Sequence, residues 1–216
     1  MQIEFERLLQ LSNPNLEYSE RPDTETIYAF LNKAVLKILN EIYLPAIDTT
    51  TNIEKSASAI QDLGLLVVRE KSISLTDKLL PKDMFHIISV VVKVDRDYVY
   101  PMVNAVIDTK LVGINTLNKY RDNMFNTPIL RRPIACVFKD KVSRNMFIDI
   151  LVDRFTTLKN LYITYIKIPD KISDTVNCEL SVHLHNRVVE LARDLFNSEK
   201  YKLSSSNNNK QNKQNE

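Results

Sequence analysis

Two glycines, Gly64 and Gly113, are all that 216 residues contain. Phosphate-cradling loops, dinucleotide-binding turns and nucleophile elbows need glycine where the backbone closely approaches a ligand or takes a positive φ. Gly-rich nucleotide sites are therefore excluded. Cysteine is nearly as scarce: Cys136 and Cys178 lie far apart, show no metal-knuckle spacing and follow no export signal, so free thiols are expected rather than a bridge. No run approaches the roughly 18 consecutive apolar residues of a membrane span. The opening MQIEFERLLQ is acidic and polar where a signal peptide is basic and then apolar. The chain is expected to stay in the compartment where it is made, without a membrane partner. An excess of one charge is missing too, because 29 Lys and Arg stand against 27 Asp and Glu, a formal +2. That balance is neither the basic footprint of a nucleic-acid binder nor an acidic tail.

With 44% hydrophobic residues, the chain has enough apolar side chains to bury a substantial core. Residues 3–11 read as a short helix within an N-terminal arm spanning 1–22, whose prolines Pro14 and Pro22 favour extended backbone. Asp23 or Thr24 offers an N-cap with Glu25 in the first turn. Apolar residues then recur at Ile27, Phe30, Leu31, Ala34, Val35, Ile38, Leu39 and Ile42, the stripe of an amphipathic helix that Pro45 is expected to stop. A second helix is expected from Thr51 or Asn52 to Gly64, with Gly64 as a left-handed C-terminal residue. Together these make an N-terminal helical region over 23–64.

The period then changes. LLVVREKSISL and MFHIISVVVKVDRDYVYPMV are β-branched runs, the second reversing at Asp95-Arg96-Asp97. Residues 108–133 hold no sustained period and read as a long excursion with a short helix near 114–121. IACVFKD, NMFIDILVD and LYITYIKIP are expected to form a three-stranded meander, the middle strand alternating Ile148, Ile150 and Val152 against Phe147, Asp149 and Asp153. Pro169 closes a β-rich region of residues 65–170. A helix starting near Cys178 and Glu179 follows, with Leu180, Leu184, Val188, Leu191 and Leu195 on one face, so residues 171–200 are expected to pack on the N-terminal helices. Residues 201–216 are a polar, low-complexity tail expected to be disordered when free. The fold class is α+β: a helical part formed from N- and C-terminal helices, with a mainly antiparallel β domain inserted between them.

Candidate chemistry is sparse. His183 and His185, at i and i+2 of the expected helix, point to opposite faces, whereas helical metal pairs use i, i+3 or i, i+4, so scaffold or interface is the reading. Cys178 at a helix start reads as a packing or capping residue, Asp149 and Asp153 as solvated strand charges. No catalytic residue, cofactor or metal is assigned, and the chain is read as a non-enzyme. The basic cluster Arg131, Arg132, Lys139, Lys141 and Arg144 brackets the strand IACVF and could meet phosphates or an acidic partner. Asp140, Asp149 and Asp153 dilute it, and no aromatic is interleaved for base stacking.

Four landmarks occur in order: NPNLEYSERPDTETIYAFLNKAVLKILNEIY, LPKDMFHIISVVV, MFNTPILRRPIACVF and YITYIKIPDKISDTVNCELSVHLHNRVVELARDLF. This ordered set, covering most of residues 10–200, resembles the head-to-tail connector (adaptor or ring) proteins of tailed bacteriophages, most of all the ring proteins of crAss-like phages. Its glycine poverty and the excursion DTKLVGINTLNKYRDN depart from that pattern and leave the particular ring of the neck open. The resemblance implies a virion protein of the neck, made in the host cytoplasm and assembled as about twelve copies in a closed ring. Portal protein and further neck or tail rings would be its partners, with DNA passing the lumen unread by sequence. On this basis three interface elements are expected: an arm with Leu16, Tyr18 and Arg21 reaching a neighbouring subunit, the reversal Asp95, Arg96, Asp97 and Tyr98 touching the next ring, and the basic loops facing lumen phosphates or acidic neighbours. The alternative is an accessory protein that contacts nucleic-acid phosphates non-specifically.

Overall fold

The structure, a computed structural model, describes residues 1–12, 21–48, 62–96, 102–122 and 133–212. The chain divides into a helical unit, Met1–Leu65 with Pro169–Glu216, and a β unit, Leu66–Ile168. The α+β architecture stands as expected, with both chain ends in the helical unit and a mainly antiparallel sheet region between them.

In the helical unit, α1 (Gln2–Ser12) buries Phe5 and Leu9, four residues apart and hence on one face. Helix α2 (Thr24–Asp48) begins where the Asp23 carboxylate accepts the Thr26 N–H at 3.0 Å, satisfying one of the donors that every helix start leaves unpaired. It buries Ile27, Leu31, Ala34, Val35, Ile38 and Leu39. Pro45 does not stop α2, which runs on to Asp48. Proline's fixed φ is helical, and within the last turn its missing N–H forfeits a single bond. The helix expected from 51 to 63 lies mostly outside the described residues. Asp62 and Leu63 are helical, and Gly64 continues into a 3-10 turn, Gly64–Leu66, with no glycine at positive φ. The chain tightens there instead of reversing through a left-handed residue.

The C-terminal helix, numbered α4 here (His185–Asn212), starts several residues later than the spacing of Leu180 and Leu184 predicts. Side-chain bonds ahead of it compete with helix formation: Ser181 Oγ donates to the Asp62 carbonyl at 3.1 Å, and His185 Nε2 meets the Leu180 carbonyl at 3.0 Å. A 3-10 turn, Val182–Leu184, leads in. At its other end α4 continues through Asn212, so the polar segment after 200 extends the helix; nothing between 201 and 212 is proline or glycine to interrupt it. Helices α2 and α4 run antiparallel, as Arg187 reaches Glu41 at 2.9 Å near one end and Lys33 pairs with Glu199 near the other. Val188, Val189 and Ala192 are buried along the seam. The Phe196 ring stands edge-on to Phe5 and Phe30, with centroids 6.2 and 5.4 Å away, tying three helices together. Asn32 on α2 pins the 169–181 loop by donating to the Ile172 carbonyl and accepting its N–H.

The β unit runs β1 (Val67–Ile73), β2 (Met84–Arg96), β3 (Met102–Asp108), β4 (Lys110–Val112), α3 (Ile114–Asp122), β5 (Ile134–Lys139), β6 (Met146–Leu151) and β7 (Thr156–Lys167). One antiparallel sheet has the order β1-β7-β2-β3, and a second has the order β4-β5-β6, with β4 parallel to β5. The expected meander is therefore split: β5 and β6 form a hairpin, while β7 leaves for the other sheet. The Asp153 carboxylate turns the chain out by accepting the Phe155 N–H at 3.0 Å and the Thr156 hydroxyl at 2.6 Å. Strand β7, twelve residues long and alternately burying Leu161, Ile163 and Tyr165, has the length and pattern to sit between β1 and β2. Those residues share one core with Val90, Val92 and Val94 of β2, Ala135 of β5, and Ile148 and Ile150 of β6. Glycine's usual left-handed positions are taken by Glu70, Lys78, Asn104 and Arg144, with Glu70 and Asn104 at irregularities of β1 and β3.

Candidate functional site

The β5–β6 hairpin presents the basic cluster. Its turn closes through the Arg144 N–H donating to the Asp140 carbonyl at 3.1 Å and the Asp140 N–H to the Asn145 carbonyl at 3.0 Å. The Asp140 carboxylate folds back to accept the Ser143 N–H at 2.8 Å, and the bonds from Ser143 hold it below the usual carboxylate range. Lys139, Lys141 and Arg144 are exposed around it, and Val142 at the tip is 92% exposed. Phe138 and Phe147 stack just below the turn, 5.8 Å between centroids, which stiffens the hairpin. Arg131 and Arg132 lie outside the described residues.

Of the other expected interface residues, Leu16, Tyr18, Asp97 and Tyr98 also lie outside the described residues, and Arg21 is an exposed residue just before α2. Asp95 and Arg96 end β2 and are engaged locally. The Asp95 carboxylate accepts the Asn104 N–H at 2.7 Å and pairs with Lys159 at 3.1 Å; the Asn104 bond and then Lys159 lower its pKa. Arg96, with 13% of its side chain exposed, faces Asp153 at 3.7 Å, and its Nε is buried without a partner. Asp149 pairs with Lys78 at 2.7 Å, so Asp149 and Asp153 serve two separate cations.

His183 Nε2 lies 2.9 Å from Asp62 Oδ1, while His185 turns to the Leu180 carbonyl. His183 thus ties the 180–185 segment to Asp62, while His185 braces that segment from within. Among the described residues no group of three His, Cys, Asp or Glu is arranged to hold a metal ion. A cavity of about 420 Å³ in the helical unit does bring Cys178 and His185 together with Tyr28 and Asp174. Cys178 sits in irregular chain ahead of α4, not at a helix start, and burial pushes its thiol pKa up, opposite to the environment that activates a cysteine nucleophile. The Tyr28 hydroxyl donates to Asp174 at 2.7 Å. A second cavity, of about 380 Å³, lies in the β unit against Met84, Phe85, His86, Val137 and Met146; burial lowers the His86 pKa.

The balanced net charge hides a division that follows the two units. The helical unit carries 12 Lys and Arg against 17 Asp and Glu, a net −5, and the β unit 17 against 10, a net +7. Counting charge along the whole chain misses this, whereas counting it inside the expected boundaries would have found it. No family model and no curated protein matches the chain.

Proposed function

We propose that this chain is a structural, non-enzymatic virion protein of the phage neck: a homo-oligomeric ring between portal and tail through which DNA passes during packaging and ejection. Made in the host cytoplasm, it would join the particle through the portal protein and neighbouring rings. What supports the reading is the ordered set of sequence landmarks together with the gathering of both chain ends into one helical unit around an inserted sheet unit, the arrangement that the resemblance implies. A protein built this way offers two bodies to different neighbours. The test is the native mass of the full chain, alone and with the portal protein of its own genome neighbourhood, followed by imaging of any particle. A ring, alone or on the portal, is the expected result; a monomer that ignores the portal overturns the proposal.

The +7 of the β unit favours one second reading, an accessory protein holding nucleic-acid phosphates. Its signature is affinity for duplex DNA that falls with the logarithm of salt concentration, by a slope near the number of phosphates contacted.

A further inference from the structure

We infer that the β5–β6 hairpin is a two-stranded ribbon that enters the major groove of duplex DNA, with Lys139, Lys141 and Arg144 on phosphates and Val142 over the groove floor. The inference builds on the ring reading, in which DNA passes the chain, and names the surface that meets it. Strand β4 flanks β5 only as far as Cys136, and residues 78–80 flank β6 only at 146–148. Among the described residues, 139–145 therefore project as a ribbon of two strands. The major groove, about 12 Å wide, admits such a ribbon. Cations stand on both arms, Lys139 and Lys141 before the tip and Arg144 after it, all exposed, while Val142 and Ser143 between them carry no charge. That order matches a groove, whose two walls are phosphate and whose floor offers base edges and thymine methyl groups to an uncharged residue. Val142, 92% exposed, is the residue placed to reach that floor. The carboxylates nearest in sequence do not hold these cations: Asp149 pairs with Lys78, Asp153 faces Arg96 and Asp140 accepts the Ser143 N–H. The closed turn and the Phe138–Phe147 stack fix the ribbon before it binds, which lowers the ordering cost. A single strand fits less well, since those two rings face each other and the tip has no aromatic side chain for bases to stack on.

The experiment is binding of the full chain to a mixed-sequence DNA duplex, read by fluorescence anisotropy from about 50 to 200 mM salt, with and without portal protein. Lys139→Gln with Lys141→Gln should lower the slope of log affinity against log salt by about 1.8, at about 0.9 per phosphate contact. Arg69→Gln with Lys71→Gln removes the same charge from exposed positions on β1 and should leave that slope unchanged. Val142→Ser should weaken duplex binding about threefold or more at an unchanged slope, because an apolar contact releases no counterions. Circular dichroism checks that each variant is folded. An equal loss of slope in both charge pairs assigns the attraction to the net charge of the unit and overturns the proposal. Val142→Ser without effect overturns entry into the groove, as does equal or tighter binding of the single strand. Ring assembly without duplex affinity overturns the contact and leaves the ring reading standing. Duplex binding that needs the two lysines, by a monomer that ignores the portal, upholds the contact and overturns the ring reading. Loss of portal binding on lysine replacement, with duplex affinity unchanged, overturns the contact in favour of an acidic protein surface.

Discussion

Replacing Phe196 with alanine should destabilise the helical unit and leave the β unit untouched. Phe196 is the side chain on α4 through which the C-terminal end of the chain touches both α1 and α2, standing edge-on to Phe5 and Phe30. A fully buried Phe→Ala change costs about 3–5 kcal/mol. Phe196 is half-buried, which brings the expected loss to about 2–3 kcal/mol, and each edge-to-face pair accounts for ~0.5–1.5 kcal/mol of it. Urea unfolding followed by circular dichroism, with hydrogen exchange to separate the units, reads the change where it occurs. Phe196→Leu keeps most of the volume and loses only the ring geometry. A double-mutant cycle of Phe5→Leu with Phe196→Leu should therefore return a coupling of about 0.5–1.5 kcal/mol. A loss below about 0.5 kcal/mol for Phe196→Ala, less than one such pair contributes, would refute the packing of α4 on the first two helices.

Three further outcomes follow from the β unit. Ile148→Ala removes a fully buried side chain of the core shared by the two sheets, so it should cost about 2–5 kcal/mol; equilibrium unfolding checks this, and an unchanged β transition would contradict the shared core. Glu70→Gly should stabilise by roughly 0.5–1 kcal/mol, because Glu70 holds φ 49° in an exposed stretch of β1 and the relief of about 1–2 kcal/mol in left-handed strain exceeds glycine's entropic cost of about 0.5–1 kcal/mol; Glu70→Val, measured beside it, should destabilise. Burial lowers the pKa of His86 in the folded state, so the unfolded chain takes up its proton first. Stability should be full above about pH 6.5, the unfolded value, fall as pH drops through it, and level off below the folded value. In His86→Gln this acid-side fall should be smaller, and thermal midpoints between about pH 8 and 5 that show the same fall would remove His86 as its source.

Where local chemistry determined local structure, the sequence was readable. Asp23 caps α2 as its position before an apolar stripe suggests, and the β-branched run from Met84 onward forms a strand that pairs antiparallel with the one after the Asp95 reversal. The misreadings are non-local or sit at element ends. Strand β7 follows β6 directly, so adjacency suggests that the two pair, yet its partners β1 and β2 come from far earlier in the chain. Strand β4 has three residues, too few for any alternation to register, and is held by a parallel partner beyond α3. Leu180 and Leu184 carry helical spacing without an α-helix, because the His185 side chain occupies the Leu180 carbonyl and the Ser181 hydroxyl is tied to the Asp62 carbonyl outside the segment. Pro45 and Gly64 are stops by residue type alone, whereas what each costs depends on where in the turn it falls.

The basic hairpin shows why charge read along a chain misjudges the field that a partner meets. Asp140, Asp149 and Asp153 lie close to the cluster in sequence and, on a linear count, offset it. In space, Asp149 is taken by Lys78, Asp153 faces Arg96, and Asp140 turns its carboxylate inward to Ser143. A carboxylate already satisfied by a cation or by the backbone of its own turn contributes little outward potential. Lys139, Lys141 and Arg144 are therefore less neutralised than their sequence neighbours suggest, on a hairpin stiffened by the Phe138–Phe147 stack. The same holds one level up, since a +2 chain consists of a −5 body and a +7 body. A partner approaching within a Debye length of about 8–10 Å meets the local excess of one unit and not the sum. The charge that a partner would meet is thus set by the residues of each unit and not by the +2 of the whole chain.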